Sequence, residues 1–464
     1  MTVAPAVSAA AFESGLFAIV GPRGLIRPEE FGARSCDPFR QVPIQSRFLV
    51  RPSCTAEVAQ VVRLCRAHGV PIITHGGATG VCGGAFTRED SIVVSLERMN
   101  AIAEISHADQ LAVVEAGVPV EALQEAAAAQ GLFYAVDLGS KGSATIGGTL
   151  ATNAGGNHVL RWGMTRMNVL GIEAVLADGT IVSAMNRLIK NNSGYDLKHM
   201  LIGSEGTLGI ITRAVMKLEP LPTTHEVAFV AVPTMDKVVS LLTLARAVPS
   251  LSAFEVMWDD YYRLVAESRA GRRPIEPGCA YHVLIETMGY DEQYDHERLA
   301  RLIERASEDG LIADGVLASS ERQRSDLWRV REASDVLVRE FKELVSFDIG
   351  IPLTVLEAFV GDARTALTAA FPDMRMVTFG HLGDGNVHFG VSIGTGTIER
   401  TRDIEDVVFA VVAEYGGVLT AEHGVGQTKR EFLPRHKDAG EMAMMRMVRN
   451  ALDPDRILNP DVLF

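Results

Sequence analysis

Cysteine is scarce in this chain of 464 residues: Cys36, Cys54, Cys65, Cys82 and Cys279 are odd in number, scattered, and nowhere form a C-x-x-C pair. That pattern argues against a disulfide framework, a zinc ribbon and an iron–sulfur cluster, and leaves buried thiols as the plain reading. Long apolar runs are missing too. None approaches the roughly 18 residues that a membrane-spanning helix needs. The stretch "MTVAPAVSAAAFESG" has no basic region ahead of an apolar run, so no secretory leader is expected and a cytoplasmic protein is. Basic clusters are also lacking, and the net charge is −14, so the chain repels a phosphate backbone and nucleic acid is not an expected partner. Neither G-x-G-x-x-G nor G-x-x-x-x-G-K-[ST] occurs, which removes support for a Rossmann nicotinamide site and for a phosphate-loop NTPase. No internal repeat or low-complexity tract is apparent.

What is present is ample apolar content, 47%, in a chain long enough for more than one core. The helical pattern "TAEVAQVVRLCRAHG" is followed by the apolar run "VPIITHGG" and then by "SIVVSLERMN" as another strand, a helix among strands. From Leu111 to Leu218 apolar strands alternate with glycine-dense loops and one Ala-rich helix, "PVEALQEAAAAQG". The two prolines of "EPLPTTHE" break this pattern and mark a boundary near residue 220. Beyond it "HEVAFVAVP", "SAFEVMW", "CAYHVLIETMG" and "VSFDIGIP" read as strands, with "TMDKVVSLLTLARAV" and "DHERLARLIERASEDG" as helices between them. One continuous amphipathic helix is expected over "SDLWRVREASDVLVREFK". The order implies an antiparallel sheet with helices on one face, an α+β unit, followed by a helical C-terminal stretch.

Two loops carry unusual glycine density, "HGGATGVCGGAF" from His75 and "DLGSKGSATIGGTLATNAGG" from Asp137. Clustered glycines let backbone N–H groups converge on an anion, as in a diphosphate cradle, although one such loop alone is as readily a tight turn. With "RWGM", "VLADGTIV", "NSGYDLKHMLIGSEGTLGIIT", "GHLGDGNVH" and "AEHGVG" in this order, the chain resembles the vanillyl-alcohol-oxidase/PCMH superfamily. The likeness is to its D-lactate, glycolate and D-2-hydroxyglutarate dehydrogenase branch and runs from about Pro52 to the C-terminal "LNPDVLF". The resemblance implies an α+β protein: an N-terminal segment (1–43), a two-subdomain FAD-binding domain (44–220), a substrate or cap domain (221–405), and a helical segment (406–464) returning to the FAD domain. It implies that Gly76, Gly77, Ala78, Thr79, Gly80, Gly83 and Gly84 wrap the FAD diphosphate. Gly139, Ser140, Gly142, Ser143, Gly147, Gly148, Asn153, Ala154 and Gly155 would border it from the second loop, with Trp162, Glu205, Gly209, Ile211 and Asn459 contributing from later motifs. His75 is counted with this group, its expected role being a hydrogen bond within the loop. Relatives with histidyl-linked flavin carry that histidine where this chain has Thr79, so the FAD is expected to be non-covalent.

"HLGDGNVH" raises a metal. With Asp384 and Gly385 as the centre of a two-residue turn, His381 would stand opposite His388 on one face, as two ligands of one ion do. "TAEHGVG" supplies Glu422 as a third ligand, and His₂Glu with open positions suits a catalytic site. A plain Asp-Gly hairpin with exposed histidines is the alternative. The resemblance favours the ion, because relatives of the D-2-hydroxyglutarate type bind one with residues matching His381, His388 and Glu422; zinc is expected ahead of manganese or iron. His423, pointing away from Glu422 in an extended stretch, suits a general base, or else a hydrogen bond to a ligand. Arg331 matches a family arginine that binds the substrate carboxylate, the alternative being a surface helix pair with Asp335.

These parts describe the oxidation of a 2-hydroxy acid: the ion acidifies the hydroxyl, His423 takes its proton, and the Cα hydrogen leaves as hydride to the flavin. The chain departs from the D-2-hydroxyglutarate enzymes at Ser346, where they have lysine, at Gly390, where they have asparagine, and at Asp335, where they have threonine. A monocarboxylic, lactate-like or larger D-2-hydroxy acid is therefore expected. Another alcohol on the same scaffold, or an idle FAD-binding electron-transfer subunit, are the competing readings. Quinone, electron-transfer flavoprotein and cytochrome stand open as acceptors, and a homodimer as an assembly state.

Overall fold

The computed structural model describes residues 9–268 and 273–464, so the first eight residues of the expected N-terminal segment lie outside the description. The chain divides into two compact units. The first comprises Met1–Gly156, Gly163–Leu221 and Glu422–Phe464, and the second Asn157–Trp162 and Pro222–Ala421.

The first unit holds a four-stranded sheet of β1 (Leu25–Ile26), β2 (Phe48–Val50), β3 (Ile72–His75) and β4 (Ile92–Ser95), ordered β1-β2-β4-β3. β2, β4 and β3 run parallel. A parallel pair needs a crossover, and the helix Thr55–His68 provides it between β2 and β3. Its Val58, Val61, Val62 and Cys65 recur at helical spacing and are buried, and Gly69 ends it in the left-handed conformation (φ 61°). A second, antiparallel sheet contains β5 (Ile102–Ser106), β6 (Leu111–Glu115), β8 (Val169–Val175), β9 (Ile181–Ala184) and β10 (Ile210–Lys217), ordered β5-β6-β10-β8-β9. The short β7 (Leu132–Phe133) pairs with β11 (Glu219–Pro220). Ala112, Val114, Ile172 and Ala214 of the second sheet pack with Leu123 and Leu150 in one core. Burying a leucine or valine there stabilises by about 1.5–3 kcal/mol.

The second unit is built on one seven-stranded sheet: β12 (Thr224–Val232), β13 (Leu251–Trp258), β14 (Tyr281–Gly289), β15 (Asp314–Leu317), β16 (Val345–Gly350), β17 (Arg375–His381) and β18 (Asn386–Ser392). Its order is β15-β12-β14-β13-β17-β18-β16, and every pair is antiparallel, as the sequence pattern implies. Phe229, Tyr261, Tyr262, Leu284, Leu327 and Val330 lie in its core.

Two expectations fail here. The "HLGDGNVH" hairpin is not a two-residue turn: four residues, Leu382 to Gly385, connect the strands, the first three as a 3-10 turn. His388 therefore stands opposite Phe379, not His381. Tertiary hydrogen bonds hold the longer loop, since the Gly383 carbonyl accepts from Arg246 Nη2 (3.0 Å) and the Gly385 carbonyl from the Ile351 N–H (2.9 Å). The expected single helix over "SDLWRVREASDVLVREFK" is two, Glu321–Arg331 and Ser334–Phe341. The buried Tyr261 hydroxyl enters the break, donating to the Arg331 carbonyl (2.7 Å) and accepting from the Ala333 N–H (3.2 Å). A side chain from another element thus satisfies backbone groups that helix continuation would have paired.

Candidate active site

In the second unit, four adjacent strands bring charged side chains onto one sheet face. Glu255 pairs with His381 across β13 and β17, Phe379 with His388 across β17 and β18, and His388 with Asp348 across β18 and β16. His381 and His388 are diagonal neighbours rather than directly opposed, yet their rings meet edge to face with centroids 5.3 Å apart. The two predicted imidazoles are thus together, by a different register from the one expected.

Glu255 organises this face. It is 1% exposed. Its Oε1 accepts from His381 Nδ1 (2.8 Å) and its Oε2 from Arg331 Nε (2.8 Å). Burial pushes the carboxyl pKa up, but the charges and hydrogen bonds of His381 and Arg331 outweigh it and hold the group below its ordinary value. An ionised carboxylate only accepts, so the proton of His381 sits on Nδ1 and the Nε2 lone pair points away from Glu255. Arg331 Nη2 lies 3.4 Å from that Nε2, at the long edge of hydrogen bonding. The Arg331 guanidinium also stacks over Phe379, 4.9 Å from the ring centroid. Arg331 is therefore buried on Glu255 and not a surface partner of the exposed Asp335.

Asp348 is fully buried, with Oδ1 3.9 Å from His388 Nδ1. Its Oδ2 accepts from Thr420 Oγ1 (2.9 Å) and from the Ala421 N–H (3.1 Å). The residue after Ala421 is Glu422, and a trans peptide sets their Cα atoms about 3.8 Å apart. The next cross-strand pair beyond Asp348–His388 on this face is Ser346–Gly390, about 7 Å along the strands. Ser346 is exposed, and Leu344 and Val377 pack against Gly390.

In the first unit the two glycine loops touch through backbone. A Cβ at Gly77 would stand 1.9 Å from the Ser143 carbonyl oxygen, and one at Gly76 would stand 2.5 Å from Thr145 Oγ1. Ala78 adopts φ 51° and Gly83 φ 73°, conformations that turn the first loop back on itself. By contrast, Gly80, Gly84 and Gly139 have no atom within 4 Å of where a Cβ would be, so both loops present bare backbone to open space. A cradle of this kind fits a dinucleotide diphosphate. His75 is buried and its Nε2 bonds to the Ala85 carbonyl (2.8 Å), which ties the base of the loop. Burial lowers its pKa to about 4.

Other expected cofactor residues also make contacts within the protein. Asn153, at φ 52°, accepts on its side chain from the Arg166 N–H (2.9 Å). Glu205 is buried with its carboxylate accepting from the Val425 and Gly426 N–H groups (2.9 and 2.7 Å), which holds the "EHGVG" loop. Asn459 accepts from the Thr74 N–H (2.9 Å) and donates to the Glu205 carbonyl (2.7 Å). Ile211 lies in the core, and Gly209 allows close approach to Leu201 and the Val175 carbonyl. Trp162 falls in the second unit, edge-on to His158. Glu422 Oε1 accepts from the Gly156 N–H (2.7 Å), and the His423 carbonyl accepts from Cys82 Sγ (3.0 Å).

Motif reading overlooked Glu255, Asp348 and Glu286. Glu286 accepts from His225 Nε2 (2.7 Å), Ser252 Oγ (2.7 Å) and Trp328 Nε1 (2.8 Å), with His158 Nε2 at 3.2 Å. The available signal was a lone acid inside otherwise apolar strands, "SAFEVMW", "VSFDIGIP" and "VLIETMG". An interior charge of that kind requires partners.

Comparison with known proteins identifies the family. The model of FAD linked oxidases, C-terminal domain, matches residues 221–463, and that of an FAD binding domain matches residues 46–185. The chain belongs to the FAD linked oxidase family. It is an FAD-binding oxidoreductase, and the resemblance read from its glycine loops and histidine motifs is borne out. It is 37% identical over 444 residues to the mitochondrial D-2-hydroxyglutarate dehydrogenase of Bos taurus, spanning 95% of this chain and 81% of the bovine one. It is 35% identical over 418 residues to D-2-hydroxyglutarate dehydrogenase of Xanthomonas citri pv. viticola, spanning 89% and 88%. Substrate-bound p-cresol methylhydroxylase shares the fold, with a TM-score of 0.79 at 14% identity over 98% of this chain and 97% of that one.

Proposed function

We propose that this protein oxidises a D-2-hydroxy acid to the 2-oxo acid with non-covalent FAD and a divalent cation held by His381, His388 and Glu422. The observation that carries this reading is the pairing of two imidazoles, one with its Nδ1–H fixed by a buried carboxylate. Their residue types and number suit a divalent ion, with Glu422 following directly on the anchored Ala421. When bound, FAD supplies the hydride acceptor and the cation supplies the positive charge that acidifies the 2-hydroxyl. His423 takes the hydroxyl proton on a ring nitrogen as the C–H bond to Cα breaks and the C=O bond forms. Arg331 offers Nη1 to the substrate carboxylate, while Nε stays on Glu255 and Nη2 lies 3.4 Å from His381 Nε2.

Side-chain preference rests on the sheet face beside His388. Ser346 and Gly390 are uncharged, and a distal carboxylate reaching this pair would find no cation in it. A monocarboxylic substrate fits better. The names of the relatives favour a second reading, D-2-hydroxyglutarate itself. A dye-coupled panel of D- and L-2-hydroxy acids separates the two by kcat/KM. Chelation followed by metal add-back tests the cation, and a rate untouched by chelation would remove the metal from the reading.

A further inference from the structure

Lys429 is a buried charge in the first unit that the site described above does not explain. It is only 6% exposed, and its Nζ has no hydrogen-bond partner among the described residues. Taking an ammonium out of water without an acceptor is strongly unfavourable, so such a group calls for a ligand. The buried acid Glu205 feels its charge, yet both Glu205 oxygens are committed to the Val425 and Gly426 N–H groups.

The position of the lysine indicates the ligand. The loop leading to Lys429 is docked on the first glycine loop by backbone. The Cys82 carbonyl accepts from the Gln427 N–H (3.0 Å), the Thr428 N–H (3.2 Å) and Thr428 Oγ1 (3.1 Å), and Gln427 Nε2 donates to the Phe86 carbonyl (3.1 Å). A Cβ at Gly426 would stand 2.0 Å from the Cys82 oxygen, so the two segments are in direct contact. Lys429 thus follows directly on the segment docked against the loop whose Gly80 and Gly84 have open space beside them.

We infer that Lys429 is the counter-cation of the FAD diphosphate, meeting an anion that the bare glycine backbone meets only with N–H dipoles. This rests on FAD binding alone and is independent of the metal and substrate readings. The full-length Lys429→Met and Lys429→Arg variants test it, with FAD dissociation constants measured by flavin fluorescence on the apo-proteins. Losing the buried positive charge is expected to weaken FAD binding ~10–100-fold in Lys429→Met, with most affinity retained in Lys429→Arg.

ADP, which carries the diphosphate without the flavin, should lose affinity in parallel, whereas riboflavin binding should not change. Apo-protein melting provides a readout with the opposite sign. Removing an unpaired buried charge should leave apo Lys429→Met at least as heat-stable as the wild-type apo-protein, whereas removing a structural lysine would lower its melting temperature. Unchanged FAD and ADP affinities, or a less stable apo variant, would overturn the assignment. A loss confined to riboflavin would overturn the diphosphate as the partner.

Discussion

Replacing Glu255 by glutamine tests the construction of the histidine face most directly. The carboxylate receives two donors at 2.8 Å, His381 Nδ1–H on one oxygen and Arg331 Nε–H on the other, and is 1% exposed. A carboxamide has one oxygen, so it can satisfy one donor while its NH₂ group confronts the other. Two consequences follow from the geometry. Arg331, 6% exposed, becomes a buried cation without its anion, which costs about 3–5 kcal/mol of folding stability in comparable cases. His381 loses the group that fixes its tautomer, and disturbing such an outer partner weakens metal binding roughly 10–100-fold. Zinc affinity by competition with a chromophoric chelator, and urea unfolding of the metal-free protein, read the two effects separately. A variant that binds zinc as the wild type does and unfolds at the same urea concentration would refute the reasoning. Wild-type protein that binds no divalent ion would instead refute the metal reading and leave the Glu255 ion pair standing.

Acid should destabilise the fold through two buried histidines. Burial lowers the pKa of His75 and of His282 to about 4, whereas an unfolded histidine titrates near 6.5. The unfolded chain therefore binds protons first as the pH falls. Their contribution is complete above pH ~6.5 and is lost between pH ~6.5 and ~4, by up to about 3 kcal/mol each. Urea midpoints at pH 7.5 and 5 should show the loss, and His282→Phe should reduce it. Tyr261→Phe removes the hydroxyl that bridges Arg331 and Ala333, which should cost about 1–3 kcal/mol and raise KM through a displaced Arg331; an unchanged KM and urea midpoint would contradict that. Ser346→Lys should raise kcat/KM for D-2-hydroxyglutarate about tenfold relative to D-lactate by adding a charge-assisted contact, and an unaltered ratio would place the substrate side chain elsewhere.

Much of the protein was legible because its signals are local. The apolar period of Thr55–His68 and the alternation of "HEVAFVAVP" are set by residues within a turn or two of each other, so helix and strand follow without knowledge of partners. Glycine density likewise announces a bare backbone wherever it is placed. The metal-type side chains at His381, His388 and Glu422 were recognisable from their chemistry, and Arg331 only from resemblance. What escaped were residues whose meaning depends on contacts made far along the chain. Glu255 lies 126 residues from the His381 it orients, and Lys429 sits in a motif whose histidine and glutamate draw the eye first.

By itself, then, the order of residues determined the glycine loops, the strands and most helices, because each depends on backbone freedom and periodicity over a few positions, while the cofactor class followed from the family resemblance. Only the tertiary structure decided the register that puts His388 opposite Phe379, the helix break at Glu332 and Ala333, and the partners of the buried charges. Those outcomes turn on which polar group from a distant element reaches an unpaired N–H, carbonyl or charge. Burial makes leaving such a group unpaired more costly than any local preference, so the distant contact prevails.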